Sequence, residues 1–527
     1  MSRPLIAVLA SLALWALGSA LLLMPGGLSI TRHTGDALHM IAIVERMSLG
    51  QTPHIDFMTP IGALAFWPIS SLDRYGMEAG QAFVTAQVIL AFMLGAMALF
   101  IGLKRAGWPY ALALSLLVII LVLALVHGEA RPAVSVSMHY NRWAWAMAFI
   151  CLFAALLPAR GGGLFDGLII GALLAGLVLI KVTYVAALAP LIALGLILTG
   201  QRAAFLVAVA TGLAIAGALT LALGMGYWAA YLGDLLAVAG SSVRPQPGLD
   251  FIEILTAPAF LFGTLTTLAL VAALRRGGFE SEGLFVLILL GGASYITYQN
   301  FGNDPQWLAL LALLAAVWAS EAPEEGARPA LQLCAVALLA IAAPSFVNML
   351  ASPVRHAQIN LADYTPILEG GALHQDMRMS TLRANRLRAD VALERGFEPF
   401  DASFERAPAL FQGEPLPVCA TEPIAGYFSA ITEDLGERGL AQGQGIFTMD
   451  ILNPYWLYGD HRALDGGTPW YYGDLAGLAD AQFVLLPSCP LRMRVRDLIA
   501  EELAEVPMTE VARTPMYRLF RLESGES

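Results

Sequence analysis

Asp36, His39, Glu45, Arg46, His54 and Asp56 stand close together in the stretch TRHTGDALHMIAIVERMSLGQTPHIDFMTPIG (residues 31–62), which separates two long apolar runs. Carboxylates and imidazoles gathered this way suit proton transfer. A carboxylate held against a hydroxyl takes its proton as the oxygen attacks, an effect commonly worth ~10²–10⁴ in rate. Three of these residues also have a structural reading. Asp36 opens a helical pattern and would satisfy first-turn N–H groups and the helix dipole. Asp56 lies between Pro53 and Pro60, where Asp is common in turns, and His54 in the same turn reads as a surface residue.

Lysine usage points to a second place for chemistry. Of 30 basic residues only Lys104 and Lys181 are lysines. Lys104 adjoins Arg105 at the end of an apolar run, whereas Lys181 interrupts one, in GLVLIKVTYVAALAP, a stretch that also carries Tyr184. A cation there is costly unless it snorkels to the surface or faces a polar cavity. Two readings follow: a snorkelling side chain, or a cation placed for a phosphate. A third group, HGEARPAVSVSMHYNRWAWAM (127–147), holds Glu129, Arg131, His139, Tyr140, Asn141 and Arg142, with Trp143 and Trp145 as interfacial anchors. A fourth, YITYQNFGNDPQW (295–307), holds Gln299, Asn300, Asn303 and Asp304, and its Gly302 and Pro305 predict a turn.

The elements that must carry these groups are mostly apolar helices. The chain has 527 residues, 57 % of them hydrophobic and 13 % charged, with a mean hydropathy of +0.66. That exceeds what a soluble domain uses. With ~20 apolar residues needed to span a bilayer, about eleven spans are predicted, near 5–24, 82–103, 109–127, 143–158, 164–180, 184–200, 203–224, 257–274, 283–298, 307–319 and 330–350. The first run is longer than the ~7–15-residue core of a signal peptide and reads as a retained anchor. Basic residues in short loops orient the chain with its N-terminus inside. KRAGW (104–108), PARGGG (158–163), GQRA (200–203) and RRGG (275–278) agree with that sense, and EAPEEGARP (321–329) opposes it. All four polar groups then lie on the outer side. Helical spacing over 36–49 and in YWAAYLGDLLAVAGSSV (227–243) predicts helices lying along the outer interface and roofing a cavity.

From residue 351 the composition changes. The tail carries 25 Asp/Glu against 15 Arg and no Lys, a balance of −10 out of the whole chain's −11. Acidity of this order argues against nucleic acid and against docking on an anionic leaflet. Helical patterns at 381–396 and 491–506, with strands at 445–451, 481–487 and 516–523, predict a small α/β unit. The stretch LADAQFVLLPSCP reads as a strand that ends a layered sheet. The fold expected is thus a polytopic α-helical membrane protein with a transmembrane part over 1–350 and an extracytoplasmic α/β domain over 351–527. Cys151 and Cys334 fall in spans as small apolar residues. Cys419 and Cys489 fall in the outer domain, either as a disulfide or as two thiols.

Several chemistries lack their sequence marks. There is no GxxxxGK[ST] loop, no HExxH or paired CxxC, and no GxSxG. The spans contain almost no acids and no inverted repeat of broken helices, which weighs against a proton-coupled transporter.

The acid at the start of the first outer loop, the interfacial helix, and then GQTPHIDFMTPIG together resemble the integral-membrane C-type glycosyltransferase superfamily. These are polyprenyl-phosphate-sugar-dependent enzymes that include bacterial aminoarabinose and mannosyl transferases. Members often show G-x-x-P-Y-x-D-x-x-x-P-x-G at this place. The resemblance implies a bacterial inner (plasma) membrane enzyme, with a periplasmic C-terminal domain, that moves a sugar from a lipid phosphate to an acceptor hydroxyl with inversion. Asp36 would be the general base. Asp56 falls on the second acid of the motif, there to orient the acceptor or shape the loop, and Glu129 on a carboxylate that members often carry in a later outer loop. Lys181 would accompany the carrier phosphate. Arg131, His54, His139, Tyr140, Asn141, Arg142, Tyr184, Gln299 and Asn300 make up the substrate-binding candidates. The partners implied are the lipid-linked donor, membrane lipid and an acceptor that could be a glycolipid, a polysaccharide or a protein. Two departures stand out: Ala37 where many members have a second acid, and His54 in place of the motif's tyrosine. No cofactor is firmly implied. A divalent cation stays open, although a lone carboxylate holds one poorly.

Three other functions compete. A flippase or transporter of lipid-linked sugars would show balanced loops on both faces, whereas here the large loops are all on one side. A sugar-polymer ligase would place its largest loop between late spans. A receptor or assembly factor led by the outer domain leaves the acidic first loop unexplained.

Overall fold

The computed structural model describes the chain except for residues 1, 160, 162, 244–249, 301–304, 324–325, 372, 385, 389–397, 400–406, 422–423 and 524–527. Among the described residues, all eleven predicted apolar runs are helices. The first is α1 (Arg3–Leu23), followed by the short strand β1 (Leu28–Ile30) and the predicted interfacial helix α2 (Thr34–Ser48). A short helix α3 (Trp67–Arg74) leads into α4 (Ala79–Arg105) and α5 (Trp108–Leu123). Next come α6 (His139–Leu156), α7 (Leu164–Ile180), α8 (Val182–Leu198) and α9 (Arg202–Leu223). The second predicted interfacial helix is α10 (Met225–Ala239), and α11 (Phe251–Thr256) follows. The last apolar helices are α12 (Pro258–Arg276), α13 (Glu280–Gln299), α14 (Trp307–Glu321) and α15 (Arg328–Ala357). Six of these helices are long and apolar enough to cross a membrane, and α5, α7, α8 and α14 are shorter apolar helices. The 18-residue α6 begins before the predicted 143–158 run and is buried along almost its whole length.

Helix starts and stops follow local chemistry. Pro109, Pro258 and Pro329 stand in the first turns of α5, α12 and α15, where a missing N–H costs nothing. Between α7 and α8 only Lys181 leaves the helical region, at φ −159° and ψ 103°. At the end of the bundle that the charge pattern assigns to the inside, the basic termini form one cluster. Asp166 accepts from Lys104 Nζ at 2.7 Å and from Arg105 at 2.8 Å, and Arg105 also donates to Gln201 at 2.8 Å.

Beyond α15, which runs past residue 350 to Ala357, β3 (Met377–Ser380) pairs with β1 on one side and, antiparallel, with β2 (Tyr364–Pro366) on the other. β3 lies parallel to β1, with Leu28 opposite Met377 and Ile30 opposite Met379. The first loop and the tail are therefore one sheet. The α/β unit has the helices α16 (Ile424–Glu437) and α17 (Met493–Glu502). Its four strands are β4 (Ile446–Thr448), β5 (Phe483–Pro487), β6 (Met508–Arg513) and β7 (Tyr517–Leu522), in the order β6-β7-β5-β4. The AQFVLLP strand is not at the end of this sheet: β5 lies inside it, and all five of its residues are buried. Of the helix predicted over 381–396, Thr381–Ala384 is helical, but Arg386–Arg388 is a strand, and 389–396 lies outside the described residues. Cys419 and Cys489 form a disulfide, whereas Cys151 and Cys334 are free and buried.

Candidate active site

One cavity is lined by Met138, whose backbone is left-handed (φ 51°), and by Asp36 on the helix that follows His33, which is also left-handed (φ 60°); His54 (φ 73°) shares that conformation but lies outside the lining. Such conformations cost a non-glycine residue on the order of 1–3 kcal/mol and persist where the surroundings over-determine them. His33 is the residue before α2, and Met138 precedes α6, so two helices start beside the cavity with their first turns facing it. The cavity holds about 340 Å³, and Asp36, Tyr140, Lys181, Gln299 and Asn300 all line it. His139 lines it too, but as a packed ring. Its Nε2 lies 2.9 Å from the carbonyl of Ala65, and Phe66, Phe83 and Trp143 meet it edge-on.

Asp36 is in the first turn of α2 without serving as a cap. Among the described residues no hydrogen-bond donor reaches its carboxylate, which is half-buried on the cavity wall. That removes capping as its explanation and leaves only the helix dipole, which its place in the first turn still serves. His39 lies one turn further along the same face, edge-on to Phe66 and to Trp470.

Lys181 reaches the cavity because the chain breaks there. Gly62, the last glycine of the first-loop motif, docks on the open end of α7, donating its N–H to the Ile180 carbonyl at 3.0 Å. A Cβ on Gly62 would stand 2.1 Å from the Leu179 oxygen, so the motif needs glycine for close approach. The Lys181 ammonium donates to Asn141 Oδ1 at 3.1 Å and to Asn300 Oδ1, and lies 5.4 Å from the centre of the Tyr140 ring. Asn141 Nδ2 also donates to Asn300 Oδ1 at 3.2 Å, and Tyr184 OH to the Asn141 carbonyl at 3.3 Å. Val182 and Thr183, the first residues of α8, line the cavity beside Lys181. A cation next to a helix N-terminus is a combination suited to an anion.

The remaining candidates are elsewhere. Asp56 does not reach the cavity: its carboxylate accepts the N–H of Thr52 at 2.6 Å and closes the turn, as the structural reading expects. His54 is not a surface residue but is buried, stacked on Tyr231 at 4.3 Å, with Nδ1 2.8 Å from Asp234. Asp234 also accepts the N–H of Thr59 at 3.0 Å, so the pair fastens α10 to the first loop. Arg142 is buried and donates to the carbonyls of Ala124 and Ser137, replacing donors that the end of α5 and the following loop lack. Arg131 is exposed. Glu129 faces Arg32 at 3.4 Å and His127 at 4.0 Å, outside the cavity lining. Asn303 and Asp304 lie outside the described residues.

The tail closes the cavity with Trp470 and Tyr472, which the sequence reading missed. The run TPWYYGD, aromatic-rich in an acidic tail, was the available signal. Its approach is fixed by backbone bonds to the first loop: Gly466 N–H to the Asp56 carbonyl at 2.9 Å, and Met58 N–H to the Gly467 carbonyl at 3.1 Å. Arg46, between the rings of Phe57 and Trp456, donates to the Leu464 carbonyl at 3.1 Å. Burial pulls its pKa down to about 10, which still leaves it cationic. A second link is His374, 3.1 Å from Glu45 and 3.7 Å from Asp73. Burial disfavours its charged form, but the hydrogen bond to Glu45 and the charges of Asp73, Glu45 and Asp376 prevail and raise its pKa.

No protein-family model matches the chain, and no curated protein matches it. Among solved structures, the chain is similar to ArnT from Cupriavidus metallidurans in the apo state. The identity is 9 %, the match covers 98 % of this chain and 97 % of that one, and the TM-score is 0.37.

Proposed function

We propose that the chain is a multi-pass membrane glycosyltransferase that moves a sugar from a polyprenyl-phosphate carrier to an acceptor hydroxyl in the cavity between Asp36 and Lys181. One observation carries the reading: a carboxylate with no hydrogen-bond donor among the described residues shares a cavity wall with a lysine at a helix start. The acceptor hydroxyl gives its proton to Asp36 as its oxygen attacks the anomeric carbon. The bond from that carbon to the phosphate oxygen breaks, and its electron pair stays on the phosphate. Lys181 and the start of α8 meet the charge that develops there. A single displacement of this kind inverts the anomeric centre and needs no covalent sugar–enzyme intermediate.

The donor's tail has a place to lie. An apolar cavity of about 350 Å³ runs between α7, α8 and α9, and Val178, Leu179 and Val185 put its wall within one helical turn of Lys181 in sequence. Holding the tail there would fix the anomeric carbon in place. The reading also assigns sides. Every segment lining the reaction cavity belongs to a loop or helix end that the basic-residue pattern puts outside, and the Lys104–Arg105–Asp166 cluster belongs to those it puts inside. The Cys419–Cys489 disulfide suits an oxidising outer compartment. We read residues 351–527 as the extracytoplasmic domain and the whole as an inner-membrane protein with about eleven spans and its N-terminus inside.

Purified protein given a panel of polyprenyl-phosphate sugars and a membrane-lipid extract tests the reading. Release of sugar from one donor is expected. Movement of a lipid-linked sugar across vesicle bilayers with no donor consumed would replace transfer by transport.

A further inference from the structure

Glu129 is left without a role in the cavity, yet it has unusual company. One ligand atom each from His33, His127 and Glu129 lies within 4.8 Å of the others. We propose that these three side chains form a binding site for a divalent transition-metal ion of zinc type, which ties the 127–131 loop to the start of α2.

The geometry supports this in three ways. First, His127 Nδ1 is buried and has no hydrogen-bond partner among the described residues, and Glu129 Oε1 stands 4.0 Å from it. A buried ring nitrogen without a partner is costly, and an ion would satisfy it. Second, Ser135 Oγ holds His33 Nδ1 at 3.0 Å, which fixes the ring and leaves Nε2 for an ion. A hydrogen bond on the second ring nitrogen is the usual support of a metal-bound histidine. Third, the backbone that presents His127 and Glu129 is pinned from behind. Gln306 donates to the His127 carbonyl at 3.1 Å, Ser345 to that of Gly128, and Asn348 to those of Glu129 and Arg131.

Two imidazoles and a carboxylate are a donor set for zinc, with a fourth position left for water. With bonds of ~2.1 Å, tetrahedral ligand atoms are about 3.4 Å apart. The present separations, up to 4.8 Å, must therefore shorten for an ion to be held. Arg32, 3.4 Å from Glu129, is a competing cation and would swing away. Because His33 is the residue before α2, an ion here would position the turn that carries Asp36 and take no part in the displacement itself.

The test does not depend on sugar transfer. The full chain, purified in detergent on a tag without histidine and stripped with EDTA, is titrated with zinc chloride. Bound metal and melting temperature are read together. We expect one zinc per chain and a raised melting temperature. His127→Ala should weaken binding by more than the ~10–100-fold typical of losing an outer-shell partner. Glu129→Gln, which keeps the side chain's shape, should weaken it as well, and it decides the matter if His127→Ala does not fold. Arg32→Ala should tighten binding by removing the competing cation, and Asp36→Asn should leave it unchanged. Absence of stoichiometric zinc, or binding indifferent to Glu129→Gln, would overturn the proposal while leaving the transferase reading intact.

Discussion

Replacing Lys181 by methionine keeps the length of the side chain and removes its charge. The ammonium donates to Asn141 Oδ1 and Asn300 Oδ1, and those two asparagines keep their own 3.2 Å bond when it is gone. Asn300 Oδ1 keeps a donor and Asn141 Oδ1 loses one. The loss to the folded state is then about one hydrogen bond from a charged group, ~1.5–3 kcal/mol, and the melting temperature should fall by only a few degrees. The effect on the donor should be of the same size. A hydrogen bond from a charged group contributes ~1.5–3 kcal/mol, which is about 10- to 150-fold in a rate or binding constant. We therefore expect kcat/KM for the polyprenyl-phosphate donor to fall by that factor, with the acceptor KM within about threefold of wild type. Lys181→Arg should fall between the two, since a planar guanidinium cannot place its charge where the compact ammonium sits. Steady-state kinetics in detergent, with each substrate varied at saturating levels of the other, separate these effects. A lowered melting temperature with donor and acceptor constants both unchanged would refute the reasoning and leave Lys181 as a structural lysine.

Trp470→Ala should raise the acceptor KM by roughly 3- to 10-fold, as expected from an aromatic contact worth ~0.5–1.5 kcal/mol, and Trp470→Phe should restore most of it. Unchanged acceptor kinetics would reduce the residue to a lid. His374 bears on stability: its folded pKa is raised above the ordinary 6.5, so its contribution is full below that value and is lost as pH rises through the folded value. Melting temperature should therefore drop more steeply above about pH 6.5 in wild type than in His374→Gln, and parallel curves would show that the link to Glu45 and Asp73 does not titrate.

The parts of the fold that depend on local pattern were legible. Every apolar run became a helix, and the two outer amphipathic segments became α2 and α10, because hydrophobic periodicity is a property of neighbouring residues. The β-sheet joining Leu28–Ile30 to Met377–Ser380 was not legible, since the pairing spans most of the chain and three-residue strands carry little signal. The same division runs through the site. Asp36 and Lys181 stood out by residue type in an apolar context, and the structure brings them to one cavity with Asn300. Asp56 and His54 belong to the same motif but face away, because a turn closed by Asp56 sets their directions and composition does not reveal it. Arg142 looked functional for its charge, yet two carbonyls account for it. Trp470 and Tyr472 come from the far tail and reach the cavity only because backbone bonds dock residues 466–467 on residues 56–58.

The central claim is that Asp36 takes the acceptor's proton during transfer from a lipid phosphate. The most direct measurement compares turnover of a polyprenyl-phosphate sugar by wild type and by Asp36→Asn, with donor binding and melting temperature followed alongside. Since no donor among the described residues reaches this carboxylate, its helix-dipole contribution of ~0.3–1 kcal/mol is all that folding should lose. Turnover should fall by at least ~10²-fold, with binding and melting close to wild type. Turnover by the variant within a few-fold of wild type would contradict the account.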